Sequence, residues 1–310
     1  MRLCTTLACL FLATAAMAVD LSSVPKEHRW VLHLDVKRTL AGEIGVWLDQ
    51  MAAEPQTRAR LDLLQALTGV TIREHLHGIT VSGPDQNEAD AVVMLHGQFD
   101  AQRITTLAAA ADGHQATAYG AHQIHRWLDK DKGNKEQFGA LAGEVLLIGN
   151  SAHAIQRSLD VLDGKAASLA DDPSFANLAK VDAAIVAGAA VNVGQWQGLD
   201  AQAAMLKEVD SITALVNEVG PDLKLALQLA TRDEQKAMQM QQVGQGLIAL
   251  YALGQVKDID PNIARLLQGL QIQRDGATLS VATSFPVAEL RRIVEERRAG
   301  KQAAHAEAAE

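Results

Sequence analysis

Cysteine is almost absent from this chain, and the position of the two that exist limits its chemistry. Both Cys4 and Cys9 lie within the first eighteen residues. If that segment is removed, the remaining chain has no thiol, which excludes disulfides, thiolate metal ligands and cysteine nucleophiles. Aromatic residues make up only 4% of the sequence, so stacking platforms for carbohydrate are scarce too.

Positive charge and long apolar runs are also scarce. The chain carries 28 Lys and Arg against 37 Asp and Glu, a formal net charge of −9. An acidic balance argues against nucleic acid and against anionic lipid surfaces as partners, because both recruit clustered basic residues. Beyond residue 18 no apolar run approaches the roughly 20 residues of a membrane-spanning helix, so we expect no membrane span in the mature chain.

The N-terminal residues 1–18 are typical of a secretory signal peptide. Arg2 supplies the positive start, residues 3–16 are apolar and uncharged, and Ala16-Met17-Ala18 has the small-x-small pattern of a cleavage site. The sequence therefore predicts cleavage before Val19 and an exported protein, periplasmic or extracellular. Retention of this segment as a membrane anchor is the alternative, which its short apolar run disfavours.

The remaining sequence alternates between strand and helix patterns. In the first strand, Trp30, Leu32 and Leu34 share an apolar face opposite His33 and Asp35. Strands are predicted at residues 30–36, 76–82, 91–97, 120–127, 143–149, 183–193, 223–230, 270–274 and 278–284. Helices are predicted from residue 38, over 58–67, 101–111, 151–162, 206–219, 234–253 and 261–270, and from residue 286.

This order predicts an α+β fold of two related units, each an antiparallel sheet with helices packed on one face. We place the units at residues 19–178 and 179–298, followed by a flexible tail at 299–310. A single larger domain is the alternative, because the residue-level identity between the halves is weak. The hairpin across Asp275-Gly276 is the clearest local turn signal.

Three motifs carry a resemblance to a known family. They are Gly97-Gln98-Phe99-Asp100, Tyr119-Gly120, and the stretch SLDVLDGK…SLADDPSF over residues 158–175. Together they resemble exported bacterial proteins grouped as a domain of unknown function, over residues 28–180 with a weaker echo to 298. The motifs consist of turns and helix caps, and the resemblance implies no activity, cofactor or site residue.

Histidine is the one unusual feature, since nine of the ten lie between His28 and His153. Zinc sites without cysteine use three or four His, Asp or Glu ligands. His75 and His77 would share a strand face, and His33 and His96 lie on strands that could be neighbours. We therefore take His33, His75, His77 and His96 as a candidate zinc site, against the alternative that the histidines are scattered edge and surface residues.

The sequence contains no His-Glu-x-x-His motif, no nucleophile elbow and no phosphate-binding glycine loop. We therefore expect a non-catalytic binding or structural protein of the cell envelope or extracellular space, without a cofactor. Its partner would be another protein or a small apolar ligand held between sheet and helices. The alternative is a histidine-rich metal-binding protein or metal-dependent enzyme built on the N-terminal unit.

Overall fold

The computed structural model describes residues 19–131, 133–178, 181, 184–196, 204–252 and 269–307. The signal segment, and residues 261–268 of the helix predicted at 261–270, lie outside these residues. No helix in the described part of the chain is long and apolar enough to cross a membrane.

Twelve antiparallel strands form one sheet in the order β11-β12-β10-β9-β8-β1-β2-β3-β7-β6-β5-β4. Their bounds are β1 Trp30–Asp35, β2 Leu76–Gly83, β3 Val92–Gly97, β4 Gln115–Tyr119, β5 His122–Asp129, β6 Lys135–Ala142, β7 Val145–Gly149, β8 Val186–Val191, β9 Val209–Val219, β10 Asp222–Thr231, β11 Gln271–Asp275 and β12 Thr278–Pro286.

Helices connect most of the strands that are not joined by hairpins. Their bounds are α1 Val36–Ala41, α2 Glu43–Ala52, α3 Pro55–Thr68, α4 Ile72–His75, α5 Ala101–Ala109, α6 Ala152–Leu162, α7 Glu234–Ala252 and α8 Val287–Glu307. The last of these runs to Glu307 and so includes residues 299–307 of the segment that the sequence predicts as a flexible tail.

The α+β prediction is confirmed, but the two halves do not have separate sheets. Strand β1 pairs with β2 on one side and with β8 on the other, so β8 joins the strands of the second half to those of the first. The backbone groups of β1 and β8 are satisfied by this pairing, which leaves neither strand as an exposed edge. The continuous sheet favours the single-domain alternative over two independent units.

Helices cover the two halves differently. In the second half, α7 and the start of α8 pack on the face that carries Leu223 and Leu229, while Lys224 and Gln228 on the opposite face are exposed. The prediction of helices on one face holds there. In the first half α6 packs on the face that carries Leu147, and α5 lies over the opposite face, which carries Leu146 and Ile148.

The main core lies under α6 in the first half. It joins inward residues of the strands to α6 and to irregular segments near both ends of this half, and its fully buried members include Val24, Val92, Met94, Leu147, Ile155, Leu159, Leu169, Phe175 and Leu178. Ser151 caps α6 by accepting a hydrogen bond from the backbone N–H of Ala154, as its N-terminal position predicts.

On β1 the buried face is the one with polar residues. Leu32 is 47% exposed, whereas His33 and Asp35 are buried. Burial of these two is tolerated because each has a hydrogen-bond partner: His33 contacts Thr80, and Asp35 accepts from the backbone N–H of Arg38 as the cap of α1. The apolar stripe therefore did not indicate which face of this strand is inward.

Three further elements differ from the sequence prediction. Residues 209–219 form strand β9 instead of the end of a helix, and β4 and β6 occupy segments that the sequence left as loops. The hairpin at Asp275 is present, with Gly276 and Ala277 as its two loop residues. Only Gly276 has a positive φ, 55°, which fits a type II′ turn better than a type I′ turn.

Candidate ligand cavity

The side of the sheet that faces α5 is less tightly packed than the side that faces α6. Neighbouring residues on β7 show the contrast: Leu147 is fully buried under α6, while Leu146 and Ile148, which point the other way, are only half-buried. Residues of β5 and β6 that share this looser face include Trp127 and Gly139. Space is therefore left between this part of the sheet and the helices above it.

Helix α5 is capped at its N-terminus, but none of its residues is buried. Asp100 caps it by accepting hydrogen bonds from the backbone N–H groups of Gln102 and Arg103. Each of its nine residues, all of them described, stays exposed or half-exposed, including Ile104 and Leu107 on its apolar stripe. Amphipathic helices are normally held in place by burial of their apolar stripe. Because the stripe of α5 is not buried, the helix covers the sheet but leaves space beneath it.

The space under α5 is a cavity of about 430 Å³, which lies in the size range of small-molecule sites. Most of its lining is apolar and comes from β5, β6, β7, α5 and the end of α3. The lining residues are Thr68, Ile104, Thr105, Leu107, Ala108, Ala110, Ala111, His125, Trp127, Gly139, Ala140, Leu141, Leu146 and Ile148.

Polar groups in this lining are few, and one of them is already paired within the chain. The hydroxyl of Thr68 donates to the carbonyl of Leu64 and accepts from the backbone N–H of Val70. His125 is buried and contacts His114, with 3.0 Å between Nδ1 of His125 and Nε2 of His114. Burial lowers the pKa of His125, and the proximity of His114 lowers it further.

A second cavity of about 400 Å³ lies among α2, α3 and α4. It is also largely apolar, but Asp49 and Arg73 line it as an ion pair, with 2.6 Å from Nη2 of Arg73 to each carboxylate oxygen. Both side chains are about half exposed, so this cavity meets solvent at a charged rim. The described lining of the cavity under α5 contains no charged residue, and one wall of that cavity is the sheet.

Two of the four histidines proposed as zinc ligands come together, through a threonine. Oγ1 of Thr80 on β2 lies 2.9 Å from Nδ1 of His33 and 2.8 Å from Nε2 of His96. The ring centroids of the two histidines are 6.1 Å apart. Burial lowers the pKa of both, that of His96 to about 4, so both rings are neutral at physiological pH.

The other two proposed ligands are placed differently. His75 ends α4 instead of sharing a strand with His77, and its Nδ1 accepts a hydrogen bond from the backbone N–H of Thr71. The described residues contain no group of three or more His, Cys, Asp or Glu arranged to hold a metal ion. The zinc site therefore stays a prediction without an assembled ligand set.

Sequence reasoning did not find the cavity or the His114–His125 pair. The sequence predicts a helix over residues 101–111, but not that Ile104 and Leu107 on its apolar side would stay open to a cavity. His114 and His125 meet because β4 and β5 form a hairpin. Recognising Gln115–Tyr119 as a strand before Gly120 would have been the signal for that pairing.

Comparisons with known proteins place few limits on this chain. No family model matches it, so the resemblance to a domain of unknown function stays a prediction. No curated protein matches either. Crystal forms III and IV of TP0453 are similar in structure, with TM-scores of 0.47 and 0.48, 10% and 8% identity, and coverage of 89% and 90% of this chain and 97% of theirs. At these scores the likeness supports no conclusion about fold or function.

Proposed function

We propose that this chain is an exported, non-catalytic binding protein that holds a small apolar ligand in the cavity under α5. The observation that carries the proposal is a cavity of about 430 Å³ whose described lining is uncharged and mostly apolar. Its helical cover supports the proposal as well, because α5 has an apolar stripe that the sheet does not bury. Export, to the periplasm or beyond, rests on the signal-like residues 1–18.

Apolar burial gives the physical reason for binding. An apolar molecule that fills the cavity removes its own surface and that of Ile104, Leu107 and Ile148 from water, at about 25 cal/mol per Å². The sheet side of the site is rigid, because β5, β6 and β7 are hydrogen-bonded strands of a large sheet. Rigid walls reduce the ordering entropy lost on binding.

The experiment titrates a neutral, environment-sensitive dye, N-phenylnaphthylamine, into the protein purified after export. The matched pair of variants is Ala108→Phe, which places a ring in the cavity, and Ala109→Phe, which adds the same ring at an exposed position outside the lining. We expect saturable dye fluorescence with one site per chain, lost in Ala108→Phe and retained in Ala109→Phe.

Equal dye binding by both variants would place the dye elsewhere and contradict the proposal. Absence of saturable binding by the unmodified chain would contradict it as well. Capture of a protein partner with no dye site would favour the other partner class expected from the sequence. Circular dichroism of both variants checks that loss of binding does not reflect unfolding.

A further inference from the structure

The polar end of the cavity is a pair of stacked histidines. The rings of His114 and His125 have centroids 5.3 Å apart and planes 23° apart, and Nε2 of His114 lies 3.0 Å from Nδ1 of His125. His125 lines the cavity, whereas His114 is half-exposed at the start of β4. The two rings are brought together by the β4–β5 hairpin, in which Ala116 lies opposite His125.

The hydrogen bond between these rings restricts their protonation. A bond between two imidazole nitrogens needs a proton on one of them and a lone pair on the other. The pair therefore cannot carry a proton on both facing nitrogens without breaking the contact. Burial of His125 and the nearness of His114 both lower the pKa of His125, so the ring that lines the cavity is neutral at physiological pH.

Charged side chains near the pair are already paired with each other. Arg126, next to His125 on β5, bonds Glu136 and the carbonyl of Gly113, and Lys130 pairs with Asp112. Among the described residues that line the cavity, none is charged. A carboxylate or ammonium group placed there would lose its hydration and find no counter-ion in the lining, which is unfavourable.

We propose that the ligand of this cavity is an uncharged alcohol, an apolar body with a single hydroxyl group that hydrogen-bonds to His125. This inference rests on the proposed function. A hydroxyl both donates and accepts, so it can pair with Nε2 of His125, the ring nitrogen that does not contact His114, in either tautomer. A carbonyl could only accept, and an unsubstituted hydrocarbon would leave the imidazole without a partner in an apolar site.

The experiment compares four ligands that each contain ten carbon atoms: decanol, decanoate, decylamine and methyl nonyl ether. Each competes with N-phenylnaphthylamine on the full chain near pH 7.5, where decanoate and decylammonium are charged. We expect decanol to bind about tenfold more tightly than either charged ligand, and the ether to fall between them, because the ether loses no charge hydration but can only accept a hydrogen bond.

Two histidine variants test whether His125 is the group that selects the hydroxyl. His125→Phe keeps a ring in the lining but has no hydrogen-bonding atom, so we expect decanol and the ether to bind it equally. His153→Phe changes an exposed histidine on α6 and should leave the preference for decanol intact. If His125→Phe fails to fold, His114→Phe, at the half-exposed partner, gives the second variant, and we expect a reduced preference.

The outcomes separate this inference from the proposed function. Equal binding of all four ligands, blocked by Ala108→Phe, overturns the inference and leaves the apolar site standing. Tightest binding of decanoate also overturns it and indicates that the histidine pair is charged. If Ala108→Phe blocks the binding of none of the four ligands, both proposals are contradicted.

Discussion

Acid should destabilise this protein through its buried histidines. His28 and His96 are both buried, and burial lowers the pKa of each from 6.5 to about 4. Glu27 and Asp90 partly offset the effect at His28, as Asp20 does at His96. Each ring also has a hydroxyl contact, His28 with Ser82 at 2.9 Å and His96 with Thr80 at 2.8 Å.

The sign of the effect follows from proton binding. Between pH 6.5 and about 4 the unfolded chain takes up protons at these histidines and the folded chain does not. Their contribution to stability is therefore complete above pH 6.5 and falls as pH is lowered toward 4. At about pH 5 each group should have lowered the free energy of unfolding by about 2 kcal/mol, and the two together by about 4 kcal/mol.

The assay is urea unfolding followed by circular dichroism at about pH 7.5 and about pH 5, a range chosen to lie above the usual pKa of carboxylates. His96→Gln should reduce the pH dependence by about 2 kcal/mol, because the amide can still bond Thr80 but does not titrate. His153→Gln, at an exposed position on α6, should retain all of it.

A change of less than about 1 kcal/mol between the two pH values would refute the reasoning, since it would mean that these histidines titrate as in the unfolded chain. An undiminished pH dependence in His96→Gln would refute the assignment to His96. A direct check is the NMR titration of the two rings, which should show midpoints near 4 instead of 6.5.

Three other predictions concern stability and processing. Gly276→Val should lower the free energy of unfolding by about 1–3 kcal/mol because a β-branched residue is strained at positive φ, and Gly276→Asn should lower it less; an unchanged urea midpoint in the valine variant would contradict the turn. Phe175→Ala, in the core, should lower it by about 3–5 kcal/mol, whereas Leu107→Ala on α5 should change it by under about 0.5 kcal/mol in the absence of ligand. N-terminal sequencing of the exported protein should begin at Val19, and recovery of Met1 would contradict cleavage.

Helix caps follow from the sequence more readily than the choice of which strand face is buried. Asp100, Ser151 and Asp172 each accept a backbone hydrogen bond at the start of a helix, as Asp and Ser favour, because a cap depends on atoms only two or three positions away. The segment around β9 was misread since Ile212 and Val216, four residues apart, share a face in a helix and also in a strand. Pairing with β8 and β10 decides for the strand.

Burial was harder to predict because it depends on elements far apart in sequence. The polar face of β1 is inward because Thr80, forty-seven positions away, supplies the partner of His33. The cavity was hard to predict for the same reason, because it depends on how α5 lies over β5, β6 and β7. Sequence periodicity does not indicate whether a helix packs tightly against a sheet. The clustering of histidine predicts a metal site, and the structure places four of these residues, His28, His33, His96 and His125, as buried rings that each have a hydrogen-bond partner.

The central claim is that the cavity under α5 binds an apolar ligand, and methyl NMR with decanol tests it most directly. Leu146 and Ile148 line the cavity, while Leu147, between them on β7, faces the core under α6. We predict that saturating decanol shifts the methyl signals of Leu146 and Ile148 and leaves those of Leu147 nearly unchanged. Equal shifts on both faces of β7, or shifts on neither face, would contradict the claim.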